Sequence, residues 1–489
     1  MSLTRALSNA NSGLVQSGLR ADVASSNIAN ASNPDYARRV VVSEAQVSGN
    51  GGTGVRVTAI ERAQDLAVSR LKRDANAAAG RTDVIANAYG TLTNALGEPG
   101  SGYGLFASLE SFEANLKSLQ ATPESAAFQN AVISAANETT HELKALSHTA
   151  LSMREAADSS IKQNVDIVNN ALHRLHAING EINSVGVLSG GGAALEDERQ
   201  SLINTISEII PIKDIPRDNG QIQITTESGV YLLAGSVNAL EFTQSPIITN
   251  EMRFGETGST LSGLSVGDQI LTPGTDGRNA LQGGTLAGAF AVRDQVATDF
   301  MDSLDSLAVD LVSRFSDDAL DPTKTAGAQG LFTDSTLALD PAQTAGAAAR
   351  IKLNNLVNPN TGGELYRIRD GLGATTPGAA GDTDIISNMI AAMTETRPVG
   401  TNSGLSGNYN IVGIAAGITS LVGEQSLRFD SINASTQARL DVLSDAEIAA
   451  TGVDIDAELQ SLLVIEQAYS ANARVIQTVG DMLDTLLRI

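Results

Sequence analysis

The sequence predicts a mainly α-helical, elongated, multidomain chain with a β-rich insertion, and three observations carry that prediction. Residues 454–488 hold an apolar seam at helical spacing, residues 3–28 hold a smaller-residue version of the same seam, and residues 124–182 run through a third without proline. Only after Pro211 does the texture change, to short strand-like runs joined by Gly/Thr/Ser-rich sequence.

At the C-terminal end, steps of three and four from Leu462 reach Ile465, Tyr469, Asn472, Ile476, Val479, Leu483 and Leu486, an a/d pattern with one polar interruption. Asp454 is placed to cap this helix, Asp456 and Glu458 suit the positive end of its dipole, and Arg488 suits the negative end. A seam this long needs an apolar partner. The same alternation from Leu3 gives Leu7, Ala10, Leu14, Ser17, Ala21, Ala24 and Ile28. Ten of the residues 3–28 are Ser, Asn or Gly, which cost roughly 0.5–1 kcal/mol each against Ala in a helix interior. Alone, that helix is marginal. The expectation is a coiled pair of the two termini, stable when packed together and against other chains. Heptads alone leave open a second arrangement, two amphipathic helices on an ordinary globular core.

Composition narrows the function classes. The 489 residues suffice for roughly two to four domains, and a 42% hydrophobic fraction with only 3% aromatics favours long helices with small-residue packing over a compact enzyme core. A net charge of −23 argues against nucleic acid or an anionic membrane as partner, because phosphate contacts need clustered Lys or Arg. With no cysteine, disulfides and thiolate chemistry are excluded. Neither a Sec-type signal peptide nor a membrane-spanning run is expected, since no apolar stretch is long enough.

In chain order, Asn30 is expected to end the first helix in a left-handed conformation, and Asn33-Pro34-Asp35 marks a turn. Residues 39–45 and 55–60 read as a hairpin around the glycine loop 49–54, and residues 61–96 as a helix weakened at Gly80. A shorter helix follows at 105–119. The long helix carries Val132, Ala136, Thr139, Leu143, Leu146, Ala150, Met153, Ala157, Ile161, Val165, Val168, Leu172 and Leu175, with a stutter between Met153 and Val165. A loop at 189–192 ends it, and another helix starts at Leu195. Residues 221–225 and 230–233 flank a turn at Glu227-Ser228-Gly229; helices return at 286–315, 384–394 and 413–449.

Two stretches carry a family resemblance. Asn27-Ile28-Ala29-Asn30, followed by Pro34-Asp35-Tyr36-Ala37-Arg38, resembles the N-terminal signature of the flagellar axial proteins, the family of rod, hook and hook-associated proteins. Glu466-Gln467-Ala468-Tyr469-Ser470-Ala471-Asn472-Ala473-Arg474 and Met482-Leu483-Asp484-Thr485-Leu486-Leu487 are similar to its closing helix. Asp35 departs from the glycine usual there, although Asp tolerates left-handed backbone better than most residues. The middle of the chain carries Leu195-Glu196-Asp197-Glu198-Arg199-Gln200-Ser201-Leu202, then strands, then Leu281-Gln282-Gly283-Gly284-Thr285-Leu286-Ala287-Gly288 and Arg293-Asp294. With its long helices it resembles the hook-associated branch that joins hook to filament; hook and rod proteins have mainly β middles.

The resemblance implies an inner-tube domain of paired termini (1–35 and 454–489). It also implies a helical-bundle middle domain (36–210, 284–320 and 382–453) and an outer β-rich domain (211–283 with 321–381). It implies assembly motif residues Asn27, Ile28, Asn30, Pro34, Tyr36 and Arg38, with packing through Leu3, Leu7, Leu14, Ile28, Leu462, Ile465, Tyr469, Ile476, Val479, Leu483 and Leu486. Expected partners are copies of this chain in a ring or helical layer, hook protein, a second hook-associated junction protein and an export chaperone on the C-terminal helix. Expected location is the extracellular flagellum, reached by type III export without a cleavable signal. The alternatives are a hook or distal-rod subunit of the same family and a secreted coiled-coil adhesin.

Chemical motifs offer little against this. His141-Glu142-Leu143-Lys144-Ala145 opens like a zincin helix but has Ala where the second His must stand, and His148 lies two turns away. His173 and His176 lack further ligands to close a metal site. Gly263-Leu264-Ser265-Val266-Gly267 matches a nucleophile elbow, but Pro273 and more glycine follow where a helix is required, and every His precedes the Ser. No Gly-Lys pair forms a phosphate loop. The expectation is a structural protein with no enzyme activity, cofactor or metal.

Overall fold

The computed structural model describes every residue except 1–2, 34–35, 49–50, 98–99, 101, 183–189, 218–219, 275–278, 336–338, 342, 401 and 488–489. Pro34, Asp35, Gly49, Asn50, Ser189 and Arg488 therefore lie outside the described residues.

Helix α1 (Leu3–Ala29) is followed by an antiparallel hairpin, β1 (Arg39–Ser48) and β2 (Gly51–Arg62). Two expectations change here. Asn30 is not left-handed; its side chain instead donates to the Ser26 carbonyl at 2.8 Å, satisfying a helix-end acceptor directly. The glycines from Gly51 to Gly54 belong to β2 rather than to a loop, and β2 continues through Arg62, so helix α2 (Leu66–Leu96) starts later than expected. Asp65 caps it by accepting from the Ala67 and Val68 amides at 3.0 and 3.1 Å.

Then come α3 (Gly104–Ala121), the 57-residue α4 (Ala126–Ile182) and α5 (Gly190–Ile209), whose first turn takes in the glycines expected to form a loop. On α4 every residue of the predicted stripe is buried except Met153, which is half-buried. A three-stranded sheet, β3 (Ile212–Pro216), β4 (Ile222–Thr226) and β5 (Tyr231–Leu233), adds a strand that sequence reading missed between two prolines. A second sheet holds β6 (Leu264–Val266), β7 (Gln269–Pro273) and β8 (Ala280–Leu281). The returning helix is α6 (Gly284–Ala291) and α7 (Ala297–Ser316) joined by a π turn, Val292–Val296. Short elements follow: β9 (Phe332–Asp334), α8 (Ala347–Arg350), β10 (Ile351–Leu353) and α9 (Arg367–Asp370). After α10 (Asp384–Thr394) and the pair β11 (Arg397–Pro398) and β12 (Asn408–Tyr409), the chain closes with α11 (Ile411–Thr451) and α12 (Ile455–Leu487). The described residues are thus mainly helical with small sheets, and the terminal helices pack together.

The apolar interior forms two clusters. The first gathers α3, the N-terminal half of α4, α7, α10 and the start of α11 around Phe112, Phe315 and Phe332, whose rings meet at 5.1–5.8 Å between centroids. The second gathers the C-terminal half of α4 with α5, α6 and strands β3 to β8. Residues 211–283 and 321–381 do not share a core: the former pack on the second cluster, while Leu331, Phe332, Ile351 and Ile368 of the latter pack on the first. The short strands of each segment bury their apolar sides on the nearest long helix, which is why the two separate.

Asp305 on α7 anchors the start of α8, accepting from the Gly346 and Ala348 amides at 2.7 and 2.8 Å. Burial pushes its carboxyl up to about 6. A folded-state value above the unfolded one, about 3.9, means the folded protein holds the proton more tightly. The associated stabilisation is complete below the unfolded value and lost as pH rises through 6. Relative to Asp305→Asn, the native protein is expected to lose about 2 kcal/mol in urea unfolding between pH 4 and pH 7, because at pH 4 the unfolded carboxyl is already half ionised. A difference that stays constant over that range rules this out.

Candidate functional site, the junction of the chain termini

Helix α1 lies against α12 over most of its length. A side chain at Gly13 would place its Cβ 2.7 Å from Asn472 Nδ2, so the glycine that weakens α1 lets the helices approach opposite the polar interruption of the seam. Polar side chains of α1 also bind the hairpin. Ser12 Oγ accepts from the Val55 amide at 3.1 Å, beside Gly54 at φ +116°, and Gln16 Nε2 donates to Ser43 Oγ at 2.7 Å.

At the C-terminal end of α1 the signature residues converge. Asn27, 1% exposed, uses all four of its hydrogen-bonding positions. Its Oδ1 accepts from Tyr36 OH at 2.8 Å and from the Arg39 amide at 3.0 Å, and its Nδ2 donates to the Arg39 carbonyl at 3.0 Å and to Glu458 Oε1 at 3.1 Å. Arg38 Nε reaches the same Glu458 oxygen at 2.7 Å, and the Arg38 amide donates to the Thr451 carbonyl at 2.8 Å. One asparagine thus ties α1, β1 and the first turn of α12 together. Asp454 caps α12 as expected, accepting from the Asp456 and Ala457 amides at 2.9 and 3.1 Å.

A second carboxylate completes the junction. Asp197 on α5 accepts from Arg62 Nε at 2.7 Å and Arg39 Nη2 at 3.1 Å, while the Arg39 guanidinium stacks 4.8 Å from the Tyr36 ring centre. Both carboxylates are committed to cations, Glu458 to Arg38 and Asp197 to Arg39 and Arg62. Chemically this arrangement positions backbone segments.

Of the predicted residues, Asn27, Tyr36 and Arg38 meet in this network, Asn30 caps α1 beside it, and Pro34 lies outside the described residues. On the seam, Ile465 and Val479 are buried, and Leu3, Leu14, Ile28, Leu462 and Ile476 are half-buried. Leu7, Tyr469, Leu483 and Leu486 are not packed: one partner helix covers one stripe, and the apolar surface of α12 is wider than that. Leu463, Val464 and Leu487 are 60%, 65% and 84% exposed. Sequence reasoning missed the bridging roles of Glu458, Asp197, Arg39 and Arg62. The local signal at Glu458 is its place in the first turn of α12, which reads equally as dipole compensation, whereas Asp197 lies two turns into α5 and carries no such signal. The four histidines all sit on the exposed side of α4, and Ser265 lies within β6, paired antiparallel with β7, so no elbow forms.

The family model for the flagellar hook-associated protein FlgK helical domain matches residues 89–330, and that for the flagellar basal body rod FlgEFG protein C-terminal region matches residues 448–489. Flagellar hook-associated protein 1 of Escherichia coli (strain K12) is 22% identical over 99% of this chain and 99% of its own length. Its counterpart in Bacillus subtilis (strain 168) is 22% identical over 94% and 93%. That of Salmonella typhimurium is 23% identical over 47% and 42%. The solved flagellar hook junction protein FlgK of Burkholderia pseudomallei aligns with 55% of this chain and 47% of its own at 17% identity, with a TM-score of 0.45. The helical-domain match, the rod-type C-terminal match and relatives aligned from end to end agree: the chain belongs to the family of flagellar hook-associated protein 1, structural components of the bacterial flagellum.

Proposed function

We propose that this protein forms the junction between hook and filament, assembling head to tail through its terminal helices into a ring or helical layer. The observation that carries the reading is the apolar face left uncovered on the α1–α12 pair, with Leu463, Val464, Tyr469, Leu483 and Leu486 all at least 40% exposed. Heterologous contacts that do not close a small ring build a tube, and long amphipathic helices suit its inner lining. In this reading the paired termini are the inner domain and a coiled coil in the assembled tube. The first-cluster helices form a middle domain, and the strands of residues 211–283 face outward. The Asn27–Tyr36–Arg38 network holds the inner domain at a set angle to the rest.

Hook protein and a second hook-associated protein are the neighbours on either side. A cytosolic chaperone covers the exposed α12 face before type III export to the extracellular flagellum, which needs no cleavable signal. The test is immuno-electron microscopy of detached flagella with an antibody to this protein. A narrow band where hook meets filament is expected; label along the whole hook would make it a hook subunit instead, and no label would remove it from the axial structure.

A further inference from the structure

The long helices of the body change character at one level. On α4 the buried stripe passes from Ala150 and Ala157, in the first apolar cluster, to Ile161 and Val165, in the second. On the helix formed by α6 and α7 the change falls between Phe290 and Val292, at the π turn. Helix α2 buries Ala75, Ala77 and Ala79 beside α5 and α6 and joins the first cluster only at Ile85. A Cβ at Gly288 of α6 would meet Val84 at 2.8 Å, which puts the crossing of α2 at the same height.

Between the clusters the filling is ionic. Arg154, Asp158 and Arg293 are at most 1% exposed. Arg293 Nη1 pairs with Asp158 at 2.8 Å, its Nε pairs with Asp294 at 2.8 Å, and Arg154 Nε donates to the Arg293 carbonyl at 3.1 Å. A strap of residues 245–262 closes over them: Arg154 donates to the Thr249 and Met252 carbonyls at 3.0 and 2.6 Å, Arg293 to that of Ser262 at 3.0 Å, and the Ser245 amide donates to Asp158 at 2.9 Å. The apolar spacing of α4 stutters across these same residues, from Met153 to Val165. The π turn widens the other helix there.

We infer that this ionic plane is a joint, at which the part built on the second cluster, residues 158–290, opens as one cooperative unit while the first cluster stays folded. Contiguous apolar packing is what makes neighbouring segments unfold together. A buried ion network fixes register but gives back much of its attraction in desolvation, so it couples the two cores weakly. The second cluster is the smaller and rests on strands of two to five residues, which makes it the side that opens.

Hydrogen exchange of the full chain, followed by mass spectrometry as guanidinium is raised below the global transition, tests the joint. Amides of β4, β5 and α4 from residue 161 to 178 are expected to merge into one opening event at lower denaturant than those of α3 and of α4 from 132 to 150. Arg154→Met is expected to accelerate exchange in residues 161–290 by about ten-fold or more and leave the first cluster unchanged. Arg314→Met, which removes bonds to the Ala392, Glu395 and Tyr409 carbonyls within the first cluster, is expected to accelerate only the first. A single isotherm running along α4 through residue 157 overturns the inference, as does equal acceleration on both sides by Arg154→Met. Should a variant fail to fold, the native isotherms decide alone.

Discussion

A chain carrying Ile476→Asp and Leu483→Asp is expected to fold as a monomer and to lose assembly, chaperone binding and motility together. Leu483 is 40% exposed, Ile476 is half-buried, and neither belongs to the two apolar clusters. The monomer therefore loses at most about 2 kcal/mol, within the range of ordinary substitutions. The cost appears when another subunit or a chaperone covers the α12 face. Each carboxylate must then leave water for an apolar contact, which costs several kcal/mol per ion, so two of them weaken each contact by roughly a thousand-fold or more. Thermal unfolding of the purified variant, pull-down with the chaperone and swimming in a strain lacking the native copy measure the three effects. Normal swimming would sink the proposed role of this face, and a collapsed melting curve would show that the face serves the monomer instead.

How much of this was legible follows from which forces act locally. The stripe from Val132 to Leu175 was readable because one helix face alone buries it, and period suffices for that. The α12 seam was readable as apolar but not as packed, because spacing reports every surface a helix will bury, including those covered only by another molecule. Boundaries failed where backbone chemistry was non-repetitive: Asn30 ends α1 through its side chain, and β3 hides between Pro211 and Pro216. The buried arginines were not legible at all. Arg154 satisfies carbonyls 95 and 98 residues away, and nothing near it in sequence distinguishes it from a solvated cation. The same holds for the junction, where Asn27 was visible as a signature residue but Glu458, 431 residues on, was not visible as its acceptor.

That pairing makes Asn27 the position where one atom matters most. Asn27→Ala leaves the Arg39 amide and carbonyl without their side-chain partner inside a buried junction, while Tyr36 OH keeps Ser26 Oγ at 3.4 Å and Glu458 keeps Arg38. At about 1–3 kcal/mol per orphaned buried group, the two together cost about 2–6 kcal/mol, felt where α1, β1 and α12 meet. Asn27→Asp keeps shape but replaces the donor facing Glu458 with a second carboxylate oxygen near 3.1 Å. Like charges at that distance repel, so at neutral pH the isosteric change is expected to loosen the junction more than the truncation does. Acidification returns a proton to the pair and with it a donor, so Asn27→Asp should regain protection as pH falls through the carboxylate range while Asn27→Ala should not. Amide exchange of residues 20–29 and 455–465, rate-corrected between pH 7 and pH 4, separates the two. If both variants respond alike to pH, the Asn27–Glu458 contact is not what couples the ends of the chain.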